Sequence, residues 1–204
     1  RKNLLLTQQF LLYYLGVTTA AAEGYEYYAS AVADSGAEAV TVHENLSKVL
    51  AATTGLDALQ LQRDLTEEIG NATADLQIQY SRIPGSIELA VLKSKALGTT
   101  LAGLNTAGEN LLNIESSIGS ELEYQLLSGK RLLTQDGKSL TNAYRIATVQ
   151  GDVNKQAELM DRFLKDQGPI LEKNLFARKK AAELMGIEES DLARMLQKQK
   201  IMSK

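Results

Sequence analysis

With 204 residues, 44% of them hydrophobic, the chain is long enough for one or two domains with a real core. The apolar residues are mostly Leu and Ala, with three Phe, two Pro and no Trp, which favours helix over sheet and predicts an all-α protein. Absence of cysteine excludes disulfides, thiolate metal sites and thiol catalysis, and a single histidine, His43, excludes any multi-histidine site.

In chain order, Asn3 to about Ala33 reads as a helix. Its candidate buried face is Leu4, Leu5, Phe10, Leu11, Tyr14, Leu15, Tyr25, Tyr28 and Val32, and Gly16 and Gly24 could interrupt it. Tyr13, Tyr14, Tyr25, Tyr27 and Tyr28 cluster here without interleaved Lys or Arg. That pattern fits helix–helix packing rather than a stacking platform for nucleic acid. Asp34, Ser35 and Gly36 mark a break. Helix returns from Ala37 to about Thr53 on Val40, Leu46, Val49 and Leu50, and His43 on this polar segment reads as an ordinary surface or interface residue. A turn over Thr54, Gly55, Leu56 and Asp57 leads into Leu59, Leu61, Leu65 and Ile69; Gly70 and Asn71 end that run. Ile83, Pro84 and Gly85 make the clearest turn of the chain, and Ser86 is a candidate N-cap.

The stretch 86–133 then holds one helical seam. Steps of three and four through Ile87, Ala90, Ser94, Leu97, Leu101, Leu104, Gly108, Leu111, Glu115, Ile118 and Leu122 give a period near 3.5. This predicts one long central helix in an elongated arrangement of hairpins, with kinks near Gly98, Gly103 and Gly108. Ile87, Leu97, Leu101, Leu104, Leu111, Ile118 and Leu122 are its candidate packing residues. Glu115 has no His or second acid at helical spacing beside it and is a poor metal ligand.

Gly129 should end that helix, and residues 134–138 read as an exposed polar turn. Helices are expected at Leu140–Thr148 and Val153–Lys165. Gly168 and Pro169 should then break the chain before Ile170–Met185, with a last helix near 190–200. Three regions result: N-terminal helices at 1–85, the long helix at 86–133 and a C-terminal helical subdomain at 134–204.

In the last region Ala182, Gly186, Ile187, Leu192 and Met195 have the spacing of a packed helix-turn-helix. Glu188, Glu189 and Asp191 stand where such a unit would meet DNA and would repel phosphates, so no sequence-specific nucleic-acid binding is expected. Those acids suit the helix N-terminus instead. Charge is uneven along the chain: residues 1–127 hold seven basic and fifteen acidic side chains, residues 128–204 fifteen and ten. That asymmetry favours head-to-tail contacts between copies or two differently solvated faces.

No phosphate-binding glycine loop and no nucleophile motif appears, so neither enzymatic activity, a cofactor nor a small-molecule substrate is expected. No apolar run approaches the ~18 residues of a membrane span. A start at Arg1 reads as a processed product or a piece of a longer chain.

Three linked stretches carry a family resemblance. LLNIESSIGSELEYQLLSGKRL (111–132) resembles the pattern LLdfEssiexExxxxLLtGkxL of tail tape-measure and related structural proteins of tailed phages. The preceding ELAVLKSKALGTTLAGL and the later YRIATVQGDVNKQAELM keep the family's order. NLFARKKAAELMGIEESDLARML resembles its Asn-led helix, alanine-rich turn with Gly and acidic start to the final helix. Ile114 departs from the usual aromatic, and 135–138 stand as an insertion. The resemblance spans roughly 66–196 and implies a non-enzymatic helical virion segment that lies in the tail tube lumen or near the baseplate. Such a segment sets tail length during assembly in the host cytoplasm and is released during genome ejection. It also implies a homo-oligomer, a trimer by family behaviour, with tail tube and baseplate hub proteins as partners. The alternatives are a helical internal virion protein or a component of a phage-like contractile injection system. A further alternative is a helical pore-forming or membrane-remodelling protein, for which no apolar hairpin is present.

Overall fold

The computed structural model describes residues 11–12, 15–32, 57–81 and 86–202, with short helical pieces at 41, 44–45, 47–49 and 51–52. Leu4, Leu5, Phe10, Tyr13, Tyr14, Val40, His43, Leu46, Leu50, the turns at 34–36, 54–56 and 83–85, and the side chain of Val32 lie outside the described residues. The protein is all-α, as its composition predicts. It divides into two compact units, residues 1–91 and 92–204.

In the first unit α1 (Thr19–Val32) packs on α2 (Ala58–Gly70), followed by α3 (Ala74–Ser81). Within the expected N-terminal helix, Gly16 makes the interruption by adopting a left-handed φ of 66°, and α1 starts after it at Thr19. Asp57 starts α2 by accepting from the Gln60 amide at 2.8 Å, and its apolar ladder Leu61, Leu65 and Ile69 is buried. From α1 come Ala21, Ala22, Tyr25, Tyr28 and Ala29, all buried. Gly24 and Gly70 bring the backbones together: a Cβ on Gly24 would stand 2.0 Å from the Gly70 carbonyl oxygen. Gln77 of α3 ties the crossing, its amide nitrogen donating to the carbonyls of Gly24 (3.2 Å) and Ile69 (2.9 Å).

The central stretch differs from the expected single helix. Residues 86–128 form three helices: α4 (Ser86–Leu97), α5 (Leu101–Leu112) and α6 (Ile114–Ser128). Gly98, at φ 78°, ends α4, and Thr100 caps α5 through the Gly103 amide at 3.0 Å. Gly103 and Gly108 remain inside α5. Gly108 is a packing glycine, since a Cβ there would lie 2.1 Å from the Thr148 hydroxyl and 2.9 Å from the Gln156 amide nitrogen. The second break, at Asn113 (φ −73°, ψ 83°), has no glycine at all. It resets the helical phase. Ile87, Leu97, Leu101, Leu104 and Leu111 are buried, whereas beyond the break Ser117 and Tyr124 are buried, and Ile118 and Leu122 are exposed.

The second unit is built around α8 (Val153–Lys173), which packs against α5, α7 (Leu140–Gln150), α9 (Leu175–Met185) and α10 (Glu189–Met202). Its buried Val153, Ala157, Met160, Leu164, Gln167 and Leu171 alternate steps of four and three, the regular seam that the sequence reading placed at 86–133. The expected break at Gly168 and Pro169 does not occur, and the helix runs on to Asn174. A residue before proline is normally pushed out of helical geometry by its own Cβ, and Gly168 has none. Pro169 is exposed, where water can serve the carbonyl left without a donor.

The remaining ends follow local chemistry. Gly129, Gly151 and Gly186 end α6, α7 and α9 in left-handed conformations, and Ser139, Asp152 and Asn174 cap α7, α8 and α9. Residues 133–139 close through one bridge between Leu133 and Ser139. Within it the Thr134 hydroxyl donates to Asp136 at 2.5 Å and Lys138 pairs with it at 2.9 Å; these contacts hold the Asp136 carboxyl down to about 2.

Candidate functional site

Helix α6 has two opposed faces. Toward the core, the Tyr124 hydroxyl donates to Gln167 Oε1 at 2.7 Å and its ring lies 6.2 Å from that of Phe163. Tyr144 on α7 donates in the same way to the Leu104 carbonyl at 2.9 Å. Burial raises both phenols far above their ordinary value, so both stay neutral donors. On the opposite face Ile114, Ile118, Leu122 and Leu126 follow one another at intervals of four, exposed by 50, 47, 59 and 84%. At 100° per residue this interval keeps them in one slowly winding stripe.

The corner between α5 and α6 is fixed by Arg145. Its Nε donates to the Leu111 carbonyl at 2.8 Å and its Nη2 to the Ser117 hydroxyl at 3.0 Å, with the Glu121 carboxylate 3.9 Å away. The Leu111 carbonyl belongs to the last turn of α5, where helical donors run out and a cation is favoured. Ser117 donates to that same carbonyl at 3.0 Å, and Thr141 donates to Glu121 at 2.7 Å. Arg145 and Glu121 are only 12 and 15% exposed in their side chains, so the clamp works in a partly desolvated setting.

A second set of polar contacts docks α9 on α5 and α6. Asn110 Nδ2 donates to the carbonyls of Glu183 (3.1 Å) and Leu184 (2.8 Å) at the end of α9. Asn110 also lies against Gly186, where a Cβ would stand 2.6 Å from its own Cβ. Lys180 bridges Glu123 of α6 at 2.5 Å and Glu183 at 2.9 Å. Hydrogen bonding raises the Lys180 ammonium above its ordinary value and lowers Glu183 below its own. Beyond the turn, Arg178 Nε bonds Glu189 Oε1 at the start of α10.

A furrow of about 470 Å³ runs between the end of α4, α8 and α10, floored by Leu97, Leu164, Gly168 and Leu196. Among its lining charges Lys165 pairs with Asp161 at 2.5 Å and Lys200 with Glu172 at 2.9 Å.

Of the candidate residues in the C-terminal turn, Ala182, Leu192 and Met195 are buried, Ile187 is half-buried and Gly186 takes the left-handed turn at φ 61°. Glu115 is exposed. Sequence reasoning missed Arg145 and Asn110, which act on backbone carbonyls 34 and 73 or 74 residues away. No local pattern marks either. Ile114 and Leu126 had a usable signal, since they extend Ile118 and Leu122 at intervals of four; the assumed unbroken seam hid it.

Among the described residues no group of three or more His, Cys, Asp or Glu could hold a metal ion, and no helix is long and apolar enough to cross a membrane. Comparison with protein-family models, curated proteins and solved structures finds no match.

Proposed function

We propose that this chain is a non-enzymatic helical segment of a tail tape-measure protein of tailed phages, placed in the tail tube lumen and released during genome ejection. The observation that carries the proposal is α6. Helix α6 (Ile114–Ser128), which lies within the resembling stretch 111–132, is clamped to its unit on one face by Ser117, Glu121 and Tyr124 and lined on the other by an exposed apolar stripe. A helix with a fixed inner face and an apolar outer one suits lateral packing on identical copies or on tube and hub proteins. The all-α fold also suits a ruler, because helix converts residue number into length at about 1.5 Å per residue.

The test is an in-frame deletion of residues 92–204 from the native phage chain, with tail length read by electron microscopy. A tail shortened by up to about 1.5 Å per deleted residue supports the proposal. Tails of unchanged length contradict it.

A further inference from the structure

We propose that the end of the 92–204 unit where α6 closes and α9 begins is a peripheral docking surface for an anionic lipid bilayer. Exposed leucine and phenylalanine side chains enter the acyl boundary there, and uncompensated cations beside them meet the headgroups. The inference goes beyond the tail reading and does not depend on it.

Helices α6 and α9 lie antiparallel, since Lys180 meets Glu123 and the Ser120 hydroxyl bonds Glu183. One turn back along α9, Phe176 therefore comes level with Leu127 near the end of α6. Apolar side chains gather at this end in the open: Leu126 is 84% exposed and Phe176 73%, beside the half-exposed Leu127 and Leu175. Lys179 follows Leu175 and Phe176 by one turn and shares their face of α9. Lys173 stands just before the Asn174 cap, and Lys130 and Arg131 directly follow the Gly129 that ends α6.

Charge selects the occupant. Lys130, Arg131, Lys173 and Lys179 are all exposed, and none has a carboxylate partner among the described residues; Lys130 reaches only the Asp166 carbonyl, at 3.4 Å. The carboxylates near them are already neutralised, Glu123 by Lys180, Asp166 by Arg162 and Glu172 by Lys200. Glu115 and Glu188, which have no cation among the described residues, stand at the opposite end of the α6–α9 pair. The pair is thus polarised, with a basic, apolar end that suits an anionic layer. Lysine and arginine stems can lie along the apolar side chains while their charges stay at headgroup level. Nucleic acid would engage the same cations but leave Leu126 and Leu175 in water, so the apolar half of the surface favours lipid. Each cation near an anionic bilayer strengthens binding about fivefold, which makes four of them worth on the order of 500-fold.

Vesicle flotation of the 204-residue chain tests the proposal, with phosphatidylcholine vesicles that do or do not contain about 30% phosphatidylglycerol. Binding is expected to the anionic vesicles at about 0.1 M salt, at least about tenfold weaker at about 0.5 M, and absent on phosphatidylcholine alone. Lys173→Glu with Lys179→Glu should weaken it at least about 25-fold. Leu126→Ser with Phe176→Ser should weaken it at least about tenfold. Circular dichroism and Tm should stay unchanged in both double variants, because all four side chains are exposed. No binding to the anionic vesicles, equal binding to phosphatidylcholine, insensitivity to salt, or indifference to either double variant would each overturn the proposal. Tighter binding to duplex DNA than to vesicles, kept by Leu126→Ser with Phe176→Ser, would overturn it in favour of nucleic acid. A chain that binds vesicles this way but has no effect on tail length retains the surface and loses the tail role; one that changes tail length and ignores vesicles does the reverse.

Discussion

Replacing Arg145 with methionine keeps most of the aliphatic stem and removes the guanidinium from the α5–α6 corner. Two hydrogen bonds are lost, to the Leu111 carbonyl and the Ser117 hydroxyl, and Glu121 is left as a partly buried carboxylate held by neutral donors. Hydrogen bonds to a charged group contribute about 1.5–3 kcal/mol each, and isolating one member of a buried pair costs about 3–5. Ser117 still serves the Leu111 carbonyl, which reduces the loss. We therefore expect about 3 kcal/mol of destabilisation of the 92–204 unit and a fall in Tm on the order of 10 °C. Urea unfolding followed by circular dichroism measures it. Adding Glu121→Gln to Arg145→Met should return at least about 1 kcal/mol, because the stranded charge is then gone. A single variant within about 0.5 kcal/mol of the parent, or strictly additive variants, would refute the clamp.

Gly108→Ala should cost about 2 kcal/mol through its clash with Thr148, and far less in a Thr148→Ala background, both read by urea unfolding. Gly186→Ala should cost about 2–3 kcal/mol, since it adds the collision with Asn110 to left-handed strain, whereas Gly129→Ala, at a similar φ in open space, should cost only about 1; equal losses would contradict this. Hydrogen bonds from Lys93 and Lys180 hold Glu158 and Glu183 below their ordinary 4.5, so the stability they provide is complete above that value and is lost as pH falls through the lowered one. Tm measured against pH should decline in acid, less steeply in Lys93→Met and Lys180→Met; an unchanged acid slope in both would exclude these pairs as its cause.

What the sequence made legible was local. Gly98, Gly129 and Gly186 end helices where left-handed conformations are needed, Asp57 caps where a polar residue precedes an apolar ladder, and composition alone dictates all-α. Local patterns mislead where two neighbouring residues act together or where a partner lies far away along the chain. Pro169 looked like a breaker because proline usually is one, but Gly168 relieves the clash on its N-terminal side. Asn113 carried no breaker signature, and its break depends on Arg145 and Ser117 serving the freed carbonyl of Leu111. Once that break is missed, Ile118 and Leu122 fall into the core by periodicity when their true position is the outer face of α6. A regular 3.5-residue period thus identified apolar residues but not which of two opposite faces they occupy after a break in the helix.

The measurement that bears most directly on the tape-measure reading is mass spectrometry of purified tails that identifies the intact polypeptide containing these residues and its mass. The account predicts peptides from 1–204 in intact tails, within a chain several times longer than 204 residues, and their loss from particles that have ejected their genome. A native chain of about this size, or peptides confined to infected-cell lysate, would contradict it.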